Sequence, residues 1–215
     1  MSAHCCGHDH GHGYGHGAAS PVYRRILWIA LAVNLAMFAV EIGAGLSAQS
    51  ASLLADSLDF LGDAANYGIS LFVLGMALQW RARASLIKAA SMGVFGLWIA
   101  ATTIQHAFAG TVPEAPVMGV VGGLALLANL GVAVLLYRWR DGDSNMRSVW
   151  ICTRNDAIGN LAVLAAAAGV LGSGTGWPDY VVAAVMSGLA LTGAFQVTRQ
   201  ALAELAHTRR AAPAE

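Results

Sequence analysis

Asp59 and Asp63 stand four positions apart in SLLADSLDFLGDAAN, and Cys152 and Asp156 repeat that spacing in WICTRNDAIGN. On an α-helix a four-residue separation puts both side chains on one face. Two such faces turned toward each other supply three carboxylates and one thiolate. That donor set suits a tetrahedral, borderline-soft dication, held at about 2.0 to 2.3 Å in the case of Zn²⁺. Cd²⁺ is the other first candidate, with Co²⁺, Ni²⁺ and Fe²⁺ behind these two. Mg²⁺ and Ca²⁺ fit poorly, since they take about six or more oxygen ligands. Without a cation or a shared proton between them, carboxylates this close repel.

The elements that must carry these residues are legible from composition. Of 215 residues 57% are hydrophobic and 11% charged, with mean hydropathy +0.59, whereas a soluble domain carries about a quarter charged residues. Apolar runs approaching the roughly 20 residues needed to cross a hydrocarbon core recur at 24–46, 51–77, 86–109, 116–138, 147–171 and 178–199. The prediction is an all-α polytopic membrane protein with six transmembrane helices and no soluble domain. No segment shows the period-2 alternation of a membrane barrel, and helices satisfy their own backbone groups in lipid. Five acids fall inside these spans: Glu41, Asp56, Asp59, Asp63 and Asp156. A buried intramembrane charge costs several kcal/mol, so each is a functional candidate. By helical rise the Asp59/Asp63 level lies about 15 Å from one face of a core about 30 Å thick. The Cys152/Asp156 level lies about 10 Å from the other, so the two pairs meet near the midplane.

Basic residues set the orientation. Arg24 and Arg25 stand at the start of the first span, and Arg81, Arg83 and Lys88 fall between the second and third or at the start of the third. Arg138, Arg140 and Arg147 lie at or between the facing ends of the fourth and fifth, and Arg199, Arg209 and Arg210 at or after the end of the sixth; of 12 basic residues only Arg154 is left well inside a span. Lys and Arg mark cytoplasmic loops, so both termini are expected in the cytoplasm. Residues 1–20 read as a disordered His/Gly/Cys-rich cytoplasmic tail, 21–200 as the transmembrane domain and 201–215 as a short cytoplasmic tail. The opening stretch has no basic segment followed by an apolar one, so it is not a secretory signal. Its His4, His8, His10, His12 and His16, with Cys5, Cys6 and Asp9, make a flexible metal collector. A net charge of +0 with scattered basic residues offers nucleic acid no footprint.

Over all six spans the chain resembles the cation diffusion facilitators. SLLADSLDFLGDAAN is similar to that family's second helix, with Asp59 and Asp63 at metal-ligand positions. WICTRNDAIGN resembles its fifth, with Cys152 and Asp156 at the other two, and WPDYVVA resembles the start of its sixth. The resemblance implies a non-enzymatic transporter, without cofactor, that exports Zn²⁺ or Cd²⁺ from the cytoplasm in exchange for protons, as a homodimer in the lipid bilayer. A bacterial inner membrane is the expected location. Family members commonly have His where Cys152 stands, and most continue into a cytosolic metal-binding domain.

Other readings stay open at this level. Cys152 is a ligand or an inert buried thiol, in which case Asn155 or water completes the set. Glu41 and Asp56 serve a proton path or helix contacts. Arg154 neutralises Asp156 or snorkels to the interface, His106 is an interfacial polar residue, and Gly123, Gly131 and Gly159 permit close helix packing. The competing functions are a non-transporting metal receptor acting through its His-rich tail, and a passive channel, which a tight cage disfavours.

Overall fold

The computed structural model describes residues 21–72, 78–139 and 144–211; the N-terminal tail of the sequence reading lies outside them. Six long helices follow one another: α1 (Pro21–Ser47), α2 (Ala51–Phe72), α3 (Leu78–Ala109), α4 (Ala115–Leu136), α5 (Ser144–Ser173) and α6 (Trp177–Ala211). A single 3₁₀ turn, Tyr137–Trp139, extends α4, and among the described residues there is no strand. Five stretches are long and apolar enough to cross a bilayer: Pro21–Ser47, Ala82–Ala109, Ala115–Leu136, Cys152–Ser173 and Trp177–Ala206. The exception is α2, whose 22 residues hold Asp56, Asp59 and Asp63.

That exception is explained by position. Helix α2 packs on α1, α3, α5 and α6, and it is buried along most of its length. The other contacts close α1, α2, α5 and α4 into a ring of four, flanked by an α3–α6 pair that leans on α2 and α5. Outward surfaces are apolar, with Phe108 90% and Val134 and Leu171 each 74% exposed, as lipid contact requires. Two apolar clusters cap the ring. Tyr23, Leu27, Tyr67, Leu71, Val132 and Leu136 fill the end where α1 begins. Leu53, Met118, Val121, Val163 and Val170 fill the end carrying the α1–α2 turn. The acids of α2 lie in the layer between.

Turn chemistry fixes the second of these ends. Gln49 takes a left-handed φ of 53° in the short α1–α2 connection, and Gly45 lies where a Cβ would meet Leu54 Cδ2 at 2.8 Å. Gly110 and Gly174, at φ 68° and 64°, end α3 and α5, as glycine does at helix C-termini. The exposed N–H groups at the start of α2 are capped from the far end of the sequence. The buried Asp179 carboxylate accepts from Ala51 N at 2.8 Å, Ser52 N at 3.0 Å, Ser50 Oγ at 2.7 Å and Ser52 Oγ at 2.6 Å. Beside it the Tyr180 hydroxyl donates to the Thr111 carbonyl, tying α6 to the α3–α4 loop.

Two boundaries differ from the sequence reading. Helix α3 begins at Leu78 instead of near 86, because Arg81 and Arg83 have good helix propensity and do not interrupt it. Lys88 is therefore not a loop residue but part of α3, 7% exposed. Helix α6 continues to Ala211, so 201–211 are helical. Gly123 and Gly131 have nothing within 4 Å of where a Cβ would stand, so within the chain they do not serve close packing.

Candidate metal centre

Helices α2 and α5 run antiparallel, and the polar residues of α2 face α5 level by level. Asp63 is opposite Thr153, Asp59 opposite Gly159 and Asp56 opposite Asn160. At the Asp63 level the Tyr67 hydroxyl donates to Asp63 Oδ2 at 2.9 Å and meets Thr153 Oγ1 at 2.7 Å. Thr153 Oγ1 also reaches Asp63 Oδ2 at 3.4 Å. The Asp156 carboxyl comes within hydrogen-bonding reach of Asp63. Two buried carboxyls this close need a proton or a cation between them. Lys88 on α3 donates to Asn66 Oδ1 and turns its positive charge toward Asp63.

Of the four predicted ligands, the structure therefore brings Asp63 and Asp156 together. Cys152 is a buried thiol one turn from Asp156 on α5. Asp59 is half-buried, and a methyl group at Gly159 would stand 3.6 Å from its Oδ2 and 3.8 Å from Asp56 Oδ1. Gly159 thus lines a space walled by these two carboxylates and by Met186 Cε, also at 3.6 Å. Among the described residues, no three His, Cys, Asp or Glu side chains are gathered as a metal cluster; the acids are grouped in twos.

The neighbouring level is a second polar group. Asp56 Oδ2 accepts from Asn160 Nδ2 at 2.7 Å, and Asn160 Oδ1 accepts from Asn129 Nδ2 on α4 at 2.9 Å. Glu41 on α1 faces Asp56 and is fully buried. Arg154 is exposed on α5 and donates to Asn155 Oδ1 at 3.3 Å. His106 is half-buried near the end of α3.

Tyr67, Thr153, Asn129 and Asn160 escaped the sequence reading. Tyr67 and Asn160 were within its reach, because each lies four positions beyond a predicted ligand, Asp63 or Asp156, on the same helical face. Thr153 and Asn129 carry no such signal.

A bundle of membrane-length helices with carboxylates buried between two of them is the build of an integral, multi-pass ion transporter. Comparison with protein-family models bears on the particular kind: residues 27–206 match the cation efflux transmembrane domain. The chain belongs to the cation efflux family, that of the cation diffusion facilitators, and its activity is cation transport.

Proposed function

We propose that the chain exports Zn²⁺ or Cd²⁺ from the cytoplasm in exchange for protons, gripping the ion with Asp59, Asp63, Asp156 and Cys152. The observation that carries this reading is the approach of Asp63 on α2 to Asp156 on α5 inside the bundle. A carboxyl pair held together by a proton becomes a dication site when the proton leaves, and metal binding releases protons from its ligands. The same two residues thereby serve both partners of an exchange. Gathering all four ligands requires Asp59 and Cys152 to close on the pair when the ion binds. Both termini are taken as cytoplasmic, and assembly as a homodimer is part of the proposal.

The test is flux. Inside-out vesicles containing the protein should accumulate Zn²⁺ or Cd²⁺ only while a pH gradient, acid inside, is imposed. Asp63→Ala and Asp156→Ala should each abolish accumulation while leaving the protein in the membrane. Undiminished uptake by Asp63→Ala removes the assigned site. Thiolate favours the softer ion, so Cys152→His is expected to move preference from Cd²⁺ toward Zn²⁺ by about tenfold, the equivalent of ~1.4 kcal/mol, read as competition between the two metals.

A further inference from the structure

Glu41 and Asp56 are both 0% exposed. Neither Glu41 oxygen nor Asp56 Oδ1 has a hydrogen-bond donor. The charged groups that bear on Glu41 are Asp56 and Asp59, both acids. With both groups ionised, only Asp56 Oδ2 among the four oxygens of the Glu41 and Asp56 carboxyls has a donor, Asn160 Nδ2 at 2.7 Å, although the two carboxyls lie within hydrogen-bonding reach of each other and could share a proton. The amides cannot be turned to help. A carboxylate only accepts, so Asn160 must present its N–H group to Asp56 and its oxygen to Asn129. Asn129 Oδ1 is then a further acceptor without a donor. Buried carboxylates are ordinarily paired or fully hydrogen-bonded, so this group is built for an occupant that brings positive charge.

We propose that Glu41 and Asp56 form a second cation-binding site, distinct from the Asp63–Asp156 grouping, which takes the transported dication on its way to the end of the bundle carrying the α1–α2 turn. The inference rests on the transport reading above. A single proton bridging Glu41 to Asp56 Oδ1 would satisfy two of the three orphan oxygens and leave the pair one negative charge. A dication takes all three oxygens and cancels both charges. Counted by helical rise from Ala51, Asp56 lies about 8 Å along α2 and Asp63 about 18 Å, so the two sites are about 10 Å apart. Asp59 stands between them on the same stripe, its Oδ2 sharing with Asp56 Oδ1 the space in front of Gly159. It hands the ion from one site to the other. The second site is made of oxygen alone, without thiolate, so it holds Zn²⁺ or Cd²⁺ less tightly than the first. A site on a release path must do so.

Radioactive Cd²⁺ bound to the full-length protein in detergent, counted by equilibrium dialysis, tests this on the wild type, Glu41→Gln, Asp56→Asn, Asp63→Asn and the Glu41→Gln/Asp63→Asn double variant. Metal held by the N-terminal tail is common to all and cancels. Glu41→Gln and Asp56→Asn should each lose one Cd²⁺ per chain, the weaker one. Asp63→Asn should lose the tighter one and the double variant two. Full occupancy in Glu41→Gln, or a double variant that loses no more than Asp63→Asn, overturns the second site. Loss in Glu41→Gln with none in Asp63→Asn would instead overturn the transport site and leave this one standing. Should Glu41→Gln not fold, ¹¹³Cd NMR of the wild type decides. A resonance of all-oxygen type beside the sulfur- and nitrogen-shifted ones supports the site, and its absence overturns it.

Discussion

The Asp63 carboxylate is held by two hydroxyls from different helices, and their geometry predicts unequal losses. Tyr67 donates a good bond of 2.9 Å, while Thr153 reaches the same oxygen at 3.4 Å. Hydrogen bonds to charged groups contribute about 1.5 to 3 kcal/mol and weaken with length. Tyr67→Phe is therefore expected to destabilise the fold by about 2 kcal/mol and Thr153→Val by about half that, measured by thermal unfolding in detergent. Equal effects would mean that the two hydroxyls act as one unit. At this scale the sequence was informative about acids and poor about their partners. An Asp in an apolar run is conspicuous because burying its charge is costly. Thr153 and Asn129 are not, since a hydroxyl or an amide crosses lipid on any helix that hides it. Glu41 was visible as an acid, but its apposition to Asp56 was not, because it depends on how α1 is rotated against α2.

Among the elements, α2 is set by what it touches. The hydropathy pattern located it although it carries three acids, and its burial against four other helices explains how it tolerates them. Boundaries were the weaker part, as with Lys88: a loop and a helix end carrying Arg81 and Arg83 look alike when only apolar length is counted. Gly159 makes the packing of α2 on α5 testable. A methyl group there would make ordinary contacts of 3.6 and 3.8 Å with the two carboxylates, so Gly159→Ala should transport nearly normally. Gly159→Leu would fill the space between Asp56 and Asp59 and should block flux while the protein still folds, checked by uptake beside size-exclusion chromatography. The Asp179 cap is the other element-level contact. Removing four hydrogen bonds to a buried carboxylate should cost about 3 kcal/mol in Asp179→Ala, with Asp179→Asn losing less, again read from thermal unfolding.

For the molecule as a whole, the α3–α6 pair packs on the ring α1–α2–α5–α4 through α2 and α5. Sequence alone supplied six spans and their order. Which helices neighbour which was beyond it, because every span has an apolar surface that would serve against lipid or protein. A cation bridging α2 and α5 ties two neighbours within that ring, and a ligand that binds only the folded state raises its stability. At 100 times the dissociation constant the gain is about 2.7 kcal/mol. Zn²⁺ or Cd²⁺ should thus raise the melting temperature of the wild type, and the rise should shrink sharply in Asp156→Asn. An equal rise in both would mean that the metal stabilises the protein from elsewhere.

The carboxylate that closes the start of α2 comes from residue 179, 128 positions further along the chain than Ala51. During synthesis α2, which among the described long helices is kept from counting as a membrane span by its three acids and not by its length, must therefore enter the bilayer before its own stopper exists. Its final seating waits for the sixth helix to leave the ribosome, so a nascent chain halted before Trp177 should expose the α1–α2 turn to protease, and one released after α6 should shield it.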